Sequence, residues 1–364
     1  MKKTLLALAI GSVIAAPSLA LADANLYGKL NLSVDHVDYA EGAGLGGNHQ
    51  LNTNKSYFGV RGGSDVSDGL KGIFQLEFGV NVDSQPIPLP GFQLFTLRNS
   101  FLGVEGGFGT LKAGTFDTPL RGLSAAVDQF HDQIYADSFN LMAGEWRAEN
   151  IIQYSTPKLA DMLTLNVATV LPEGDDSNFS GNPNQKAMDT LSITAMFDLD
   201  SFYAGLGYDR NNYALTTDNG SDLGFTQSVI LPGLSGAPSA GTGGGIDVTG
   251  GSGVIDIIRA VAGFNADSFQ VGLLLQEAKD TKNSSLKDFT WILSAGFDMS
   301  ENIKLKAQYG ATDAKTADLK SEQATIGADY KLGAQTKTYA YATRFEIDGD
   351  RNSAVVGIGA EHRF

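Results

Sequence analysis

The sequence contains no cysteine in 364 residues, only four histidines, and a deficit of base against acid. Without cysteine there is no disulfide framework and no Cys-ligated zinc or iron–sulfur centre. With 26 Lys and Arg against 41 Asp and Glu, the net charge is −15. That balance argues against a nucleic-acid partner, whose phosphates call for a basic surface. His36, His49, His131 and His362 form no H-E-x-x-H or paired metal spacing, and there is no G-x-S-x-G nucleophile elbow. Beyond Ala22 no run of ~18 apolar residues occurs, so no transmembrane helix is encoded.

The one sustained apolar run lies at the start. Lys2 and Lys3 precede a mostly apolar Thr4–Ala16, and Ala20-Leu21-Ala22 supplies an A-x-A cleavage site. Residues 1–22 read as a cleaved signal peptide and 23–364 as the mature domain. The run is shorter than the ~20 residues a spanning anchor needs. Loss of Lys2 and Lys3 leaves 24 cations against 41 acids, or −17.

What recurs instead is alternation with a period of two. Phe289, Trp291, Leu293, Ala295 and Phe297 share one face, and Ile292 is the exception on the other. Ile303, Leu305, Ala307 and Tyr309 alternate with Lys304, Lys306, Gln308 and Gly310. An apolar face opposite a polar, Gly-containing one is the pattern of a strand with lipid outside and water inside. Such segments number about sixteen: 24–38, 53–64, 70–82, 95–105, 109–117, 147–156, 162–170, 187–198, 201–212, 254–265, 268–279, 288–298, 302–312, 322–332, 336–347 and 353–364. Links after odd segments are long (39–52, 83–94, 118–146, 171–186, 213–253, 313–321), and links after even ones are tight, as at Asp198–Asp200. This parity is the asymmetry of a transmembrane antiparallel β-barrel, all-β and closed, because strand edges cannot be left unpaired in lipid.

Remaining motifs read as loops. Gly42-Ala-Gly44-Leu-Gly-Gly47 matches G-x-G-x-x-G but lacks a βαβ setting. Asp348-Gly-Asp350-Arg-Asn352 opens like a calcium loop but has Ser353 and Gly359 where Gly and Glu belong. Gly233–Gly253 is a low-complexity segment inside a long loop.

Several segments together resemble the general porins of Gram-negative bacteria. Asn25-Leu-Tyr-Gly-Lys-Leu30 is similar to the opening L-Y-G-K strand of that family. Ser56-Tyr-Phe-Gly-Val-Arg-Gly62 resembles S-R-F-G-F-K-G, and Gly69–Glu77 resembles the strand that follows it. Phe101–Thr110 resembles F-V-G-L-x-G-x-F-G-T, and Asn150–Pro157 resembles N-S-I-R-Y-x-S-P. Glu361-His-Arg-Phe364 is similar to the R-H-R-F terminus.

The resemblance implies a sixteen-stranded outer-membrane barrel, a homotrimer, whose third external loop folds inward and narrows the pore. Here that loop is Thr118–Trp146, with Asp128, Asp132, Asp137 and Glu145 as candidate constriction acids. Lys29, Tyr57, Arg61, Arg98 and Arg147 are the candidate wall residues; Tyr57 stands where the family commonly has Arg. Cations facing an acidic loop across a narrow gap would impose a transverse field. The terminal Phe364 is expected to be the signal read by the barrel-assembly machinery, and lipid and lipopolysaccharide the surroundings. The implied function is passive diffusion of ions and small hydrophilic solutes, with no reaction and no cofactor. A substrate-specific channel is the alternative; it would need an aromatic track or basic ladder inside, whereas most aromatics fall on the lipid face. A barrel hydrolase or a non-conducting adhesin are further rivals.

Overall fold

The computed structural model describes residues 24–38, 48–83, 95–171, 188–212, 254–281, 284–285, 287–314, 319–347 and 351–364. Residues 1–22, expected to be a signal peptide, lie outside these residues, as do Gly42–Gly47, Gly233–Gly253 and Asp348–Asp350.

Sixteen antiparallel strands run in sequence order around one closed sheet. They are β1 (Asn25–Asp38), β2 (Asn48–Thr53 with Tyr57–Ser67), β3 (Leu70–Val80) and β4 (Phe95–Leu97 with Ser100–Gly106). Next come β5 (Gly109–Asp117), β6 (Arg147–Ser155), β7 (Leu163–Val170), β8 (Thr190–Leu199), β9 (Phe202–Asn212) and β10 (Ile255–Asn265). The circuit ends with β11 (Phe269–Asp280), β12 (Lys287–Asp298), β13 (Ile303–Ala314), β14 (Leu319–Lys331), β15 (Thr336–Ile347) and β16 (Arg351–Arg363). Both pieces of β2 pair with β1, and both pieces of β4 with β3, so each is one interrupted strand.

β1 meets β16 in register from Lys29↔Arg363 to Asp38↔Ala354, which closes the barrel and leaves no edge. At the seam Gly28 and Phe364 exchange backbone hydrogen bonds of 3.0 and 3.1 Å. The Phe364 ring lies against Gly28, where a Cβ would fall 2.4 Å from Cζ. Glycine is what lets the terminal aromatic cover the seam on the outer face.

Outward side chains are those that water would reject. Leu102 is 71% exposed and Leu26, Ile326 and Ile358 are 65% exposed. An apolar girdle of this kind is the face a barrel presents to lipid. The inner face carries Lys29, Asn31, Ser33 and Asp35 on β1, all buried, and the Ser, Thr, Gln and Gly positions of β8–β14.

The structure corrects several expectations. β2 begins at Asn48 rather than residue 53. β13 and β14 run on until only 315–318 separate them, so that link is not long. On β15 the aromatic face points inward: Tyr339 and Tyr341 are buried, and their hydroxyls donate to Asn31 Oδ1 (2.6 Å) and Asp35 Oδ1 (2.8 Å). Tyr27, Tyr57, Phe101, Phe116 and Tyr203 also line the interior, so the aromatics are not confined to the lipid side.

Candidate functional site

β5 and β6 have nine residues each against fourteen in β1, so the loop between them leaves the wall from within the barrel. It opens with a short helix, α1 (Pro119–Ser124). Pro119 supplies a preset φ at the first turn, and the Thr118 side chain accepts from the Arg121 N–H. A single 3₁₀ turn, Ser138–Asn140, follows Asp137, whose side chain caps it.

The loop's apolar residues seat it on the far wall. Leu120 and Ala143 pack on Ile255, Ile257 and Ala278. Leu123, Val127, Leu141 and Met142 pack on Tyr203, Val261, Leu274 and Ile292. Phe130, Tyr135 and Ala136 pack on Val37, Tyr339, Tyr341, Phe345 and Val355. Ile292, the residue that broke the alternation of β12, is thus part of the seat. Each large side chain fully buried here contributes roughly 1.5–3 kcal/mol.

A loop inside a barrel must also satisfy its backbone, and inward polar side chains do this. Tyr203 donates to Ala126 O (2.8 Å), Ser294 to Val127 O (2.5 Å) and Thr312 to Leu141 O (2.5 Å). Gln323 donates to Tyr135 O (3.2 Å), while Ser192 Oγ accepts from Leu120 N (3.2 Å). Close approach needs glycine at Gly207, where a Cβ would lie 2.7 Å from Leu120 Cδ1 and 2.8 Å from Leu123 Cδ1.

The four candidate acids fall into different surroundings. Glu145 faces no open water: it accepts from Arg259 Nη1 (2.6 Å) and Ser124 Oγ (2.9 Å). Arg259 is fully buried on β10 and also donates to Leu120 O and Ala143 O. Asp128 staples the loop to itself, accepting from Phe130 N (2.8 Å), Ser138 N (2.9 Å) and Ser138 Oγ (2.8 Å). Asp137 accepts from Lys55 Nζ (2.8 Å), Asp132 N (2.9 Å) and Phe139 N (2.9 Å). Asp132 pairs with Lys29 Nζ and stands 3.8 Å from Lys55 Nζ.

Burial pushes Asp128 up to about 7, with the charge of Asp137 adding to it. Asp137 is as deeply buried, yet Lys55, His131 and the Phe139 amide hold it below the ordinary carboxylate range. For Asp132, burial is outweighed by His131, Lys29, Lys55 and Arg98, which hold it well down. Oxygen and nitrogen donors of Asp128, His131 and Asp137 lie within 4.8 Å of one another. The Lys55 ammonium already supplies positive charge to Asp137 there.

The wall residues divide as well. Arg98 Nε donates to Glu77 Oε1 (2.9 Å), and Tyr27 donates to Glu77 Oε2 (2.9 Å). Arg147 Nε lies 3.0 Å from Asp117 Oδ1, which Arg121 Nη1 also approaches to 3.1 Å. So Arg98 and Arg147 are matched by acids of the wall itself, and the loop acids Asp132, Asp137 and Glu145 by Lys29, Lys55 and Arg259, while Asp128 bonds back to its own loop. The open gap expected between acidic loop and basic wall is bridged by contact pairs. Tyr57 lies between two cations, with Lys29 Nζ 5.4 Å and the Arg98 guanidinium 5.1 Å from its ring centroid. Arg61 rests 4.6 Å from the Tyr27 centroid, toward the end of the barrel that carries Asn25 and Phe364.

Residues missed from sequence are Lys55, Glu77, Lys112, Asp117 and Arg259. Lys55 sits at the break in β2 with φ 49°, in the left-handed region unusual for a side-chain-bearing residue. The polar run Asn52-Thr-Asn-Lys-Ser56 is the signal that marks this break. The exposed edge of the loop is Gly122, Ala125, Ala126 and His131, small or neutral rather than acidic.

A closed barrel with an apolar outer belt and a loop seated in its lumen defines a transmembrane β-barrel protein of the outer membrane. The family model described as Gram-negative porin matches residues 5–350, and the chain belongs to that family. It is 24% identical over 392 residues to major outer membrane protein P.IB of Neisseria sicca, covering 100% of both chains. The match to P.IB of Neisseria gonorrhoeae, 26% identical over 222 residues, spans 58% of this chain and 55% of that one, about half its length. Among solved structures, the anion-selective porin from Comamonas acidovorans superposes with TM-score 0.70 at 20% identity, covering 94% of this chain and 99% of that one. OmpF of Salmonella typhi in complex with daunomycin gives TM-score 0.63 at 16% identity, covering 94% and 97%.

Proposed function

We propose that the protein is a passive, water-filled channel for ions and small hydrophilic solutes, acting as a homotrimer. The observation that carries this reading is the loop Thr118–Trp146, held inside a sixteen-strand lumen by wall side chains. Sixteen strands enclose more space than side chains fill; the loop takes one side of it and leaves the β2–β6 wall facing water.

Selectivity then follows from the charges at that gap. Lys29, Lys55, Arg61, Arg98, Lys112, Arg121 and Arg147 meet five acids, Glu77, Asp117, Asp132, Asp137 and Glu145. The excess of base favours anions at the constriction, even though the whole chain is acidic. Tyr57 costs the wall one cation relative to the family pattern, and Lys112 restores one. Phe364 serves as the barrel-assembly signal as well as the seam cover, and lipopolysaccharide surrounds the exposed mouth. Planar-bilayer recording tests the reading: stepwise triplet openings support a trimeric channel, and a protein that never conducts defeats it.

A further inference from the structure

No linear spacing announces a metal site in this chain, but the sheet brings two of its four histidines together. His36 of β1 and His49 of β2 are directly opposed in the antiparallel register. Their ring centroids lie 4.5 Å apart, with 40° between the ring planes. Opposed strand positions hold their Cβ atoms ~4.5–5.5 Å apart, so the two imidazoles spring from a fixed base. Asp38 follows His36 on the same face of β1, with its Oδ1 3.3 Å from His36 Nε2.

The pair sits where the apolar belt gives out, at the end of the barrel opposite Asn25 and Phe364. Val34 and Leu51 are the next outward pair along the two strands, both exposed, and the exposed Val356 flanks His36 from β16. On the other side of the histidines Asp38 is exposed. Lipid thus borders the pair on one side and water on the other. A ring that only marked this boundary could be Tyr or Trp. Two imidazoles beside a carboxylate add nitrogen lone pairs.

His36 has one nitrogen engaged and one spare. Nε2 faces the Asp38 carboxylate, while Nδ1 is closed to solvent and has no hydrogen-bond partner among the described residues. A histidine that ligates a metal turns its other nitrogen to a carboxylate or carbonyl, which fixes the tautomer and makes the ligating nitrogen more basic. Zn²⁺ holds an imidazole nitrogen at about 2.0–2.1 Å, so two nitrogens ~3–4 Å apart share one ion. Rings this close reach that spacing by side-chain rotation, with no movement of the strands. Imidazole suits Zn²⁺, Ni²⁺ and Cu²⁺, whereas Mg²⁺ and Ca²⁺ take oxygen ligands.

We propose that His36 and His49 bind one divalent transition-metal ion on the outer face of the barrel, with Asp38 orienting His36. The ion clamps β1 to β2 at the boundary between lipid and water. The site lies outside the lumen and does not depend on the channel reading.

The untagged full-length protein, folded in detergent, is titrated with Cu²⁺ alone and with Zn²⁺ alone. The Cu²⁺ electron paramagnetic resonance spectrum should saturate at one ion per chain and show splitting from two nitrogens. Zn²⁺ should raise the unfolding temperature, because it binds the folded pair. His36→Gln and His49→Gln should each abolish both responses, and Asp38→Asn should weaken the affinity about tenfold. Far-UV circular dichroism confirms that each variant keeps its strands. His131→Gln, which alters the inner loop instead, should leave both responses as they are. A two-nitrogen signal that survives loss of His36 or His49, a signal that vanishes with His131, or no saturable signal in the unaltered protein overturns the site.

Discussion

Arg259 donates its Nη1 to Glu145 Oε1 at 2.6 Å, joining the middle of β10 to the far end of the inner loop with both side chains closed to solvent. A buried cation of this kind is tolerated because every direction is occupied: Glu145, Leu120 O, Ala143 O and Gln276 Oε1 all accept from it. Removing one member leaves the other charge unmatched in a low-dielectric site, at a cost of about 3–5 kcal/mol. Arg259→Met should therefore free the loop. Hydrogen exchange across residues 119–145 should rise, and single-channel conductance should increase. Adding Glu145→Gln should recover part of the protection. Exchange unchanged in the single variant would show that the pin does not hold the loop.

The loop's apolar seat makes an independent prediction. Gly207→Val places a side chain where Leu120 and Leu123 already lie, an overpacking worth about 1–3 kcal/mol. It should lift α1 from β9 and widen the pore. Gly107→Ala, at a turn with nothing within 4 Å of the new Cβ, should leave conductance as it was. Equal conductance in both variants would contradict the seating described.

Asp128 predicts a pH dependence of the loop. Its carboxyl is raised from 3.8 to about 7 by burial and by Asp137, so the folded loop favours the protonated form. That stabilisation is complete below about 4 and is lost as pH rises through about 7. Asp132 and Asp137 are held low, so their contribution is present above the ordinary carboxylate range and disappears only in stronger acid. Protection factors of the Phe130 and Ser138 amides should fall between pH 4 and 7, and Asp128→Asn should flatten that fall. Parallel pH curves for the two proteins would rule Asp128 out as the responsible group.

The barrel was legible in the sequence because lipid and water impose opposite demands on alternate residues, and β12, β13 and β14 state this plainly. β15 was not legible. Tyr339, Tyr341 and Phe345 alternate with Ala340 and Ala342, so both faces are apolar, and the hydroxyl partners that orient the tyrosines, Asn31 and Asp35, lie some three hundred residues away. The site follows the same division. Lys29, Arg61, Arg98 and the loop acids could be placed on a face or in a loop, but their partners could not. Lys29 and Asp132 are 103 residues apart, and Arg259 and Glu145 are 114 apart; no local period encodes such pairs. Hence Asp128 and Glu145 resemble pore acids in sequence, while in the structure Asp128 accepts from Phe130 and Ser138 of its own loop and Glu145 from Arg259 and Ser124.

The balance of charge around the gap makes the most direct test. With Glu77, Asp117, Asp132, Asp137 and Glu145 matched in contact pairs and Arg61 and Lys112 without a carboxylate within 4.0 Å among the described residues, the reversal potential across a KCl gradient should have the sign of a pore that prefers chloride. Arg61→Gln with Lys112→Gln together should move it toward zero or beyond. A reversal potential of the cation-selective sign in the unaltered protein would contradict this account of the constriction.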